Sequence, residues 1–232
     1  MPVLEIITSS GLGSLLGMRH ALEPDHLAAV STLVARERGR SKAALLGACW
    51  GVGHTLTLLA VGVVLVALRT ELPARIADLF EFLVAVMLVA LGARAIYYAA
   101  RQGAAGPTHL HHHGRTVHAH AGVPAHVHIG HWTLARRPLL IGAVHGLAGS
   151  GALTALVLTT LPSTAARLTY MALFGLGSTL GMAALSGLLG WPLARFGSHH
   201  AVARAVSALV GFVSVGLGLA WGYPFISRLL SN

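Results

Sequence analysis

The sequence predicts an all-α, polytopic membrane protein with six transmembrane helices arranged as a 3+3 inverted repeat. Composition is the first reason: of 232 residues, 55% are hydrophobic and 10% are charged, and the mean hydropathy is +0.72. Soluble domains carry about 25% charged residues. One soluble core could not bury so much apolar surface, so residence in a membrane is the simple explanation.

Six apolar stretches supply the second reason, because a helix needs about 20 residues to cross a bilayer core. They cover roughly residues 4–34, 43–68, 76–99, 138–161, 165–194 and 201–229. The first is overlong and contains glycine and proline, so we expect a helix that is discontinuous at Pro24.

An internal repeat is the third reason. Three matched positions share one register of 124 to 126 residues: His20 with His145, His54 with Ser178, and Gly92 with Gly218. Three spans per repeat place the two halves in opposite orientations, as in inverted-repeat transporters. The predicted units are a first three-helix repeat (1–100), a histidine-rich loop (101–137) and a second three-helix repeat (138–232). Chance similarity among Gly-, Leu- and Val-rich helices is the alternative explanation.

The arginines predict the orientation, since cytoplasmic loops carry an excess of basic residues. The net charge is +9, and Lys42 is the single lysine. Ten basic residues lie in loop 1–2, in the 101–137 loop and its flanks, and in loop 5–6. Four lie in the segments on the other side of the membrane. We therefore expect a multi-pass protein of the plasma (inner) membrane with these loops in the cytoplasm and both termini outside. A basic excess placed between apolar spans does not suggest a nucleic-acid partner.

The 101–137 loop contains nine histidines between His109 and His131. Its polar composition predicts a flexible segment without a packed core. Neutral imidazole is a common metal ligand, so the loop could buffer metal or receive it from a cytoplasmic carrier. A tolerated surface loop of biased composition is the alternative.

Ionisable residues inside the apolar spans form the candidate site. Intramembrane charges cost about 2.5–3.5 kcal/mol each on insertion scales and usually mark function. They are concentrated in span 1, with one more in span 2 and one in span 4: His20, Glu23, Asp25, His26, His54 and His145.

The spacing of His20 and His26 does not suit a regular helix. Residues six apart lie about 9 Å apart along the axis and do not share a face. Pro24 removes a helical hydrogen bond and clashes with the carbonyl of His20. A broken helix could therefore turn His20, Asp25 and His26 toward one point, as at the midplane sites of transporters.

The ligand types indicate a divalent transition metal, because imidazole suits nickel, cobalt, zinc and copper, whereas magnesium and calcium prefer oxygen shells. Cys49 is the single cysteine, which argues against copper(I) and structural zinc. These residue types do not choose among the remaining metals. The alternative is that the histidines are packing groups hydrogen-bonded to helix carbonyls.

The segment Gly17-Met-Arg-His20-Ala-Leu-Glu-Pro-Asp25-His26-Leu resembles the signature of the nickel/cobalt transporter (NiCoT) superfamily, and Trp50-Gly-Val-Gly-His54-Thr resembles its second motif. The resemblance implies metal selection by His20, Asp25, His26 and His54. Span 4 lacks the acidic motif of the family's permeases, and six spans are fewer than their eight. In both features the sequence is more similar to the shorter UreH-like, urease-accessory branch or to the related efflux branch.

These observations favour a secondary permease for Ni²⁺ or Co²⁺, with no enzymatic activity and no prosthetic group. The expected partners are the lipid bilayer and the metal ion. An efflux protein of the same superfamily is the main alternative, and a membrane metalloenzyme or an exporter of a small anion is less favoured. The direction of transport, the coupling ion and a homo-oligomeric state are left open. No phosphate-binding loop motif occurs.

Overall fold

The structure is a computed structural model, and it describes residues 2–35, 39–101, 108–113, 116–121, 126–129, 132–161, 163–196 and 200–230. These residues form seven helices and four short strands. The helices are α1 (Pro2–His20), α2 (Pro24–Val34), α3 (Arg40–Leu68), α4 (Ala74–Arg101), α5 (Arg136–Thr160), α6 (Thr164–Phe196) and α7 (His200–Leu230). The strands are β1 (Thr108–His113), β2 (Thr116–Ala121), β3 (His126–Ile129) and β4 (Trp132–Ala135).

Four helices are long and apolar enough to cross a membrane by length and composition. They are Arg40–Leu68, Ala74–Arg101, Thr164–Trp191 and Ala201–Arg228. The predicted class, a helical protein with several membrane spans, is confirmed at this level. The stretches predicted as spans 1 and 4 are also helical, but within the residues that the structure describes α1, α2 and α5 do not meet the same criterion. With 11 residues, α2 is shorter than the roughly 20 that a span requires.

Helices α3 and α6 pack against each other at the centre of the bundle, with α5 against α3 and α1 against α6. Helices α4 and α7 form a second pair, which α2 and α5 contact. Glycines allow the close approach of backbones that membrane helices use. A Cβ atom at Gly17 would collide with the carbonyl of Phe174, and one at Gly142 would collide with the carbonyl of Trp50.

Equivalent contacts recur in the two halves of the chain. A Cβ atom at Gly92 would meet the carbonyl of Gly211, and one at Gly218 would meet the carbonyl of Ala85. The hydroxyl groups of Thr55 and Thr179 lie 2.9 Å apart between α3 and α6. Thr55 and Thr179 are 124 residues apart, an offset that falls within the register of the predicted repeat.

The histidine-rich segment contains two antiparallel β-hairpins, β1–β2 and β3–β4, which the sequence analysis did not predict. In the first, His109 pairs with His120 and His111 with His118. The alternation of Thr, Val and Ala with His through β2 is compatible with a strand, because its period is two residues. Parts of the predicted 101–137 loop, including Arg115 and His131, and part of loop 1–2, including Arg36 and Arg38, lie outside the described residues.

Candidate metal centre

The connection between α1 and α2 builds the first part of the site. Helix α1 ends at His20 and α2 begins at Pro24, with Glu23 in an extended conformation (φ −64°, ψ 149°). The amide of Glu23 donates to the carbonyl of His20 at 3.0 Å. This turn brings the ring centroids of His20 and His26 to 4.4 Å. In a continuous helix the two residues would lie about 9 Å apart along the axis.

Four imidazole rings from four helices converge around His26. Its ring centroid lies 4.4 Å from that of His20 in α1, 5.3 Å from His54 in α3 and 4.0 Å from His145 in α5. His26, His54 and His145 are each at most 1% exposed, whereas the side chain of His20 is 14% exposed. The cluster therefore lies inside the bundle with one partly open side at the end of α1.

Two carboxylates orient three of these rings. Nδ1 of His26 and Nε2 of His145 donate to the two oxygens of Asp25 at 3.0 and 2.8 Å. Nδ1 of His20 pairs with Glu23 at 3.1 Å. A neutral imidazole that donates through one nitrogen keeps a lone pair on the other. Such carboxylate–histidine pairs fix the tautomer and the ring orientation of metal-binding histidines.

The remaining ring nitrogens have no hydrogen-bond partner among the described residues, although they are buried. They are Nε2 of His20, Nε2 of His26, Nδ1 of His145 and both nitrogens of His54. An unsatisfied buried polar group costs about 1–3 kcal/mol, so a cluster of them calls for a ligand as an explanation. A ring nitrogen that carries no proton has a lone pair, which a cation could accept.

Two overlapping sets of ligand atoms are close enough to hold an ion. One set is His20, His26 and His54, and the other is Asp25, His26 and His145; within each set the ligand atoms lie within 4.8 Å of one another. His26 belongs to both sets. A cation bound by either set would receive nitrogen-rich coordination, the type that nickel, cobalt, zinc and copper(II) accept.

All six residues predicted from the sequence meet at this place. His20, Glu23, Asp25, His26 and His145 line one cavity of about 190 Å³. His54 does not line it, but its ring lies 5.3 Å from those of His20 and His26.

Aromatic rings border the cluster. The ring of Trp50 lies 5.4 Å from that of His26 and 5.5 Å from that of His145, and Phe174 lies 5.2 Å from His20. Trp50 in α3 and Phe174 in α6 are 124 residues apart, an offset within the register of the predicted repeat. Each of them lies beside a histidine ring of the cluster.

The sequence analysis missed two residues that line the cavity, Glu81 in α4 and Trp221 in α7. The signal for Glu81 was present, since it is a carboxylate within an apolar stretch, as Glu23 and Asp25 are. No motif pointed to Trp221.

Comparison with known proteins decides the family. The chain is 33% identical over 223 residues to the urease accessory protein UreH of Bacillus sp. (strain TB-90), which covers 96% of this chain and 94% of the relative. The chain belongs to the UreH family. This confirms the predicted resemblance to the UreH-like branch. The Bacillus protein is named as a urease accessory protein, which accords with the expectation of a non-enzymatic chain.

This UreH-family chain is also similar to two plant proteins. The chloroplast proteins FOR GROWTH AND FERTILITY 2 and 1 of Arabidopsis thaliana are each 28% identical to it over 221 residues. The alignments cover 93% and 92% of this chain, and 56% and 58% of the plant proteins. No protein-family model and no solved structure matches the chain.

Proposed function

We propose that this UreH-family chain is a secondary transporter of Ni²⁺ or Co²⁺. One observation carries the proposal: the rings of four histidines from four helices converge with a carboxylate inside a helical bundle, and several of their buried nitrogens have no partner among the described residues. Polar clusters of this kind inside a membrane bundle mark ion pathways. Membership of the UreH family agrees with the resemblance of the His20–His26 segment to nickel/cobalt transporters and supports nickel or cobalt as cargo.

The ligands have different roles in this proposal. The ion exchanges water ligands for the ring nitrogens of His20, His26 and His54. Asp25 compensates part of its charge and orients His26 and His145, and Glu23 orients His20. His145 offers its Nδ1 as a further ligand. His26 is common to both sets of ligand atoms, so binding by either set depends on its ring.

The two halves of the chain act as moving units. We assign residues 1–100 to the first inverted repeat, with its first span discontinuous at Pro24, and residues 138–232 to the second. The reciprocal glycine contacts and the Thr55–Thr179 pair support this assignment. Rocking of one half against the other around the metal centre would then expose it to each side in turn.

The orientation follows from the basic loops, as argued from the sequence, with the 101–137 segment in the cytoplasm. There its histidines would take metal from the transporter or deliver metal to it. The β1–β2 hairpin brings His109 opposite His120 and His111 opposite His118 in its register, so two pairs of histidines occupy directly opposed positions of its two strands.

The test is metal accumulation in cells that lack their own nickel systems. Uptake by the expressed protein raises cellular nickel and toxicity, and efflux lowers both. Alanine at His20, Asp25 or His26 should abolish the effect, whereas Glu71→Ala, in the exposed α3–α4 loop, should retain it. Unchanged nickel content in all three site variants would overturn the proposal.

A further inference from the structure

The cavity beside the metal centre is lined from a second direction by the α4–α7 pair. Glu81 and Val84 of α4 and Trp221 of α7 face the same space as Glu23, Asp25, His26 and His145. Neither α4 nor α7 carries any residue of the two motifs that resemble the nickel/cobalt family. The space therefore connects the buried histidines to a carboxylate that no motif identified.

The carboxylates that line this cavity give it a negative charge. The chain has seven carboxylates, and three of them, Glu23, Asp25 and Glu81, line this one space. None of the described residues that line it is Arg or Lys, although the chain has 16 such residues. A cleft of low dielectric lined by one sign of charge concentrates the opposite ion and raises its rate of association.

Glu81 has no evident structural task. It lies within an apolar helix, and Leu79 and Leu83 beside it are exposed, as expected for a lipid-facing surface. The neighbouring acid of α4, Asp78, pairs with Arg228 at 2.7 Å. No ion pair of Glu81 occurs among the described residues. A carboxylate in such a helix is costly, so an unpaired one that borders a cavity indicates a ligand.

The buried end of the cavity points to a cation independently of these acids. His26 and His145, each 1% exposed, line it, and each has one ring nitrogen without a partner among the described residues. Along the cavity the groups change from exposed carboxylates (Glu81, and Glu23 at 54% exposure), through the 15% exposed Asp25, to buried imidazoles. Carboxylates suit a cation that still holds water, and imidazoles suit one that has lost it.

We propose that Glu81 is the entry residue of the metal centre, which captures the hydrated divalent cation at the mouth of the cavity before it reaches Asp25 and His26. This inference rests on the proposed metal transport and adds a binding position outside the signature motifs. Glu23, which lines the same cavity, shares the capture. Glu81 speeds entry and is not a ligand of the fully bound ion.

The experiment measures the association of Ni²⁺ with the purified full-length protein in detergent, by stopped-flow recording of tryptophan fluorescence. Trp50 lies 5.4 Å from the His26 ring and serves as the reporter. The variants are Glu81→Gln, which removes the charge, and Glu81→Asp, which keeps it. Glu71→Gln is the matched control, because Glu71 is an exposed glutamate that does not line the cavity.

Glu81→Gln should lower the association rate constant about tenfold at low ionic strength, and the difference should shrink as salt screens the charge. The dissociation rate should stay within about twofold of the wild type. Glu81→Asp and Glu71→Gln should both behave as the wild type. The salt dependence separates an electrostatic role from a folding defect.

Equal association rates for Glu81→Gln and Glu71→Gln would overturn the inference and leave the proposed transport intact. The same holds if Glu81→Asp is as slow as Glu81→Gln. A wild-type protein that binds Ni²⁺ and Co²⁺ but moves neither would instead overturn the proposed function. A wild-type protein that binds neither metal would overturn both.

Discussion

Asp25 and His145 join the two halves of the chain at the metal centre: Nε2 of His145 in α5 donates to Oδ2 of Asp25 in α2 at 2.8 Å. The other oxygen of Asp25 accepts from Nδ1 of His26 at 3.0 Å. One carboxylate thus sets the orientation of two rings from different helices. Asp25 is already engaged before any ion arrives, so its largest effect on metal binding comes through the histidines that it holds.

Replacement of Asp25 by Asn should weaken nickel binding by about 10- to 100-fold, the usual cost of losing a carboxylate that orients metal-binding histidines. The asparagine amide can still contact the rings, but it carries no negative charge. Its NH2 group can also face a ring N–H, which needs an acceptor and not a second donor. Isothermal titration with Ni²⁺ measures the change. Asp78→Asn removes a carboxylate at the Arg228 pair and should leave affinity unchanged; equal affinity for both variants would contradict the orienting role.

His54 and His145 should differ in what they contribute to stability. Both are buried, but His54 has no hydrogen-bond partner among the described residues, whereas His145 pairs with Asp25. Removal of an unsatisfied polar group breaks no hydrogen bond of the folded protein, whereas removal of a donor from the mostly buried Asp25 carboxylate costs about 1–3 kcal/mol. His54→Leu should therefore unfold at or above the wild-type temperature, and His145→Leu below it.

Thermal unfolding of the metal-free proteins in detergent, followed by circular dichroism, measures this difference. Both variants should lose nickel binding. A His54→Leu protein that unfolds well below His145→Leu would show that His54 has a packing role and not a ligand role.

The approach of the candidate ligands in span 1 could be predicted from sequence because the relevant physics is local. His20, Asp25 and His26 lie within seven residues around Pro24, and a proline that disrupts the preceding turn makes their approach foreseeable. The hydrogen bond from His145 to Asp25 depends on how α2 lies relative to α5. The sequence indicates this only indirectly, through the predicted repeat.

Glu81 and the β-hairpins lay beyond that reasoning for separate reasons. The apolar pattern of α4 shows that Glu81 is in a helix, but not that its face borders the histidines, because this depends on the rotation of α4 against α2 and α5. The insert is dominated by histidine and small residues, so its two-residue alternation is short and the composition favoured a flexible loop over strands. The helical class was predictable from composition, since only helices or closed barrels satisfy the backbone in lipid.

Gly142 should not tolerate alanine. A Cβ atom there would collide with the carbonyl of Trp50, and the backbone of α3 would have to move away from α5, displacing His54 and His145 together. Overpacking of this kind costs about 1–3 kcal/mol. Gly142→Ala should lower the unfolding temperature and weaken nickel binding.

Gly216→Ala is the matched control for that substitution, because nothing lies within 4 Å of the Cβ position at Gly216 in α7. Alanine is the better helix former by about 1 kcal/mol, so this variant should be at least as stable as the wild type. Equal destabilisation by both substitutions would contradict the close packing of α3 and α5.

The proposed orientation predicts which cysteines a membrane-impermeant maleimide can reach in intact cells. In a Cys49→Ala background, Thr70→Cys and Ser163→Cys, in the α3–α4 and α5–α6 loops, should be labelled from outside. Ser41→Cys and Ala201→Cys, at the starts of α3 and α7, should be labelled only after the cells are permeabilised. The reverse pattern would place the basic loops outside and contradict the orientation.

The central claim, that the histidine cluster moves a divalent metal across the membrane, is tested most directly by nickel flux into proteoliposomes of the purified protein. Vesicles with the wild-type protein should accumulate Ni²⁺ down an imposed gradient, and those with Glu71→Gln should do the same. Vesicles with His26→Ala, which removes the ring shared by both ligand sets, should accumulate no more than protein-free vesicles. Wild-type flux equal to that of protein-free vesicles, or full flux through His26→Ala, would contradict the account.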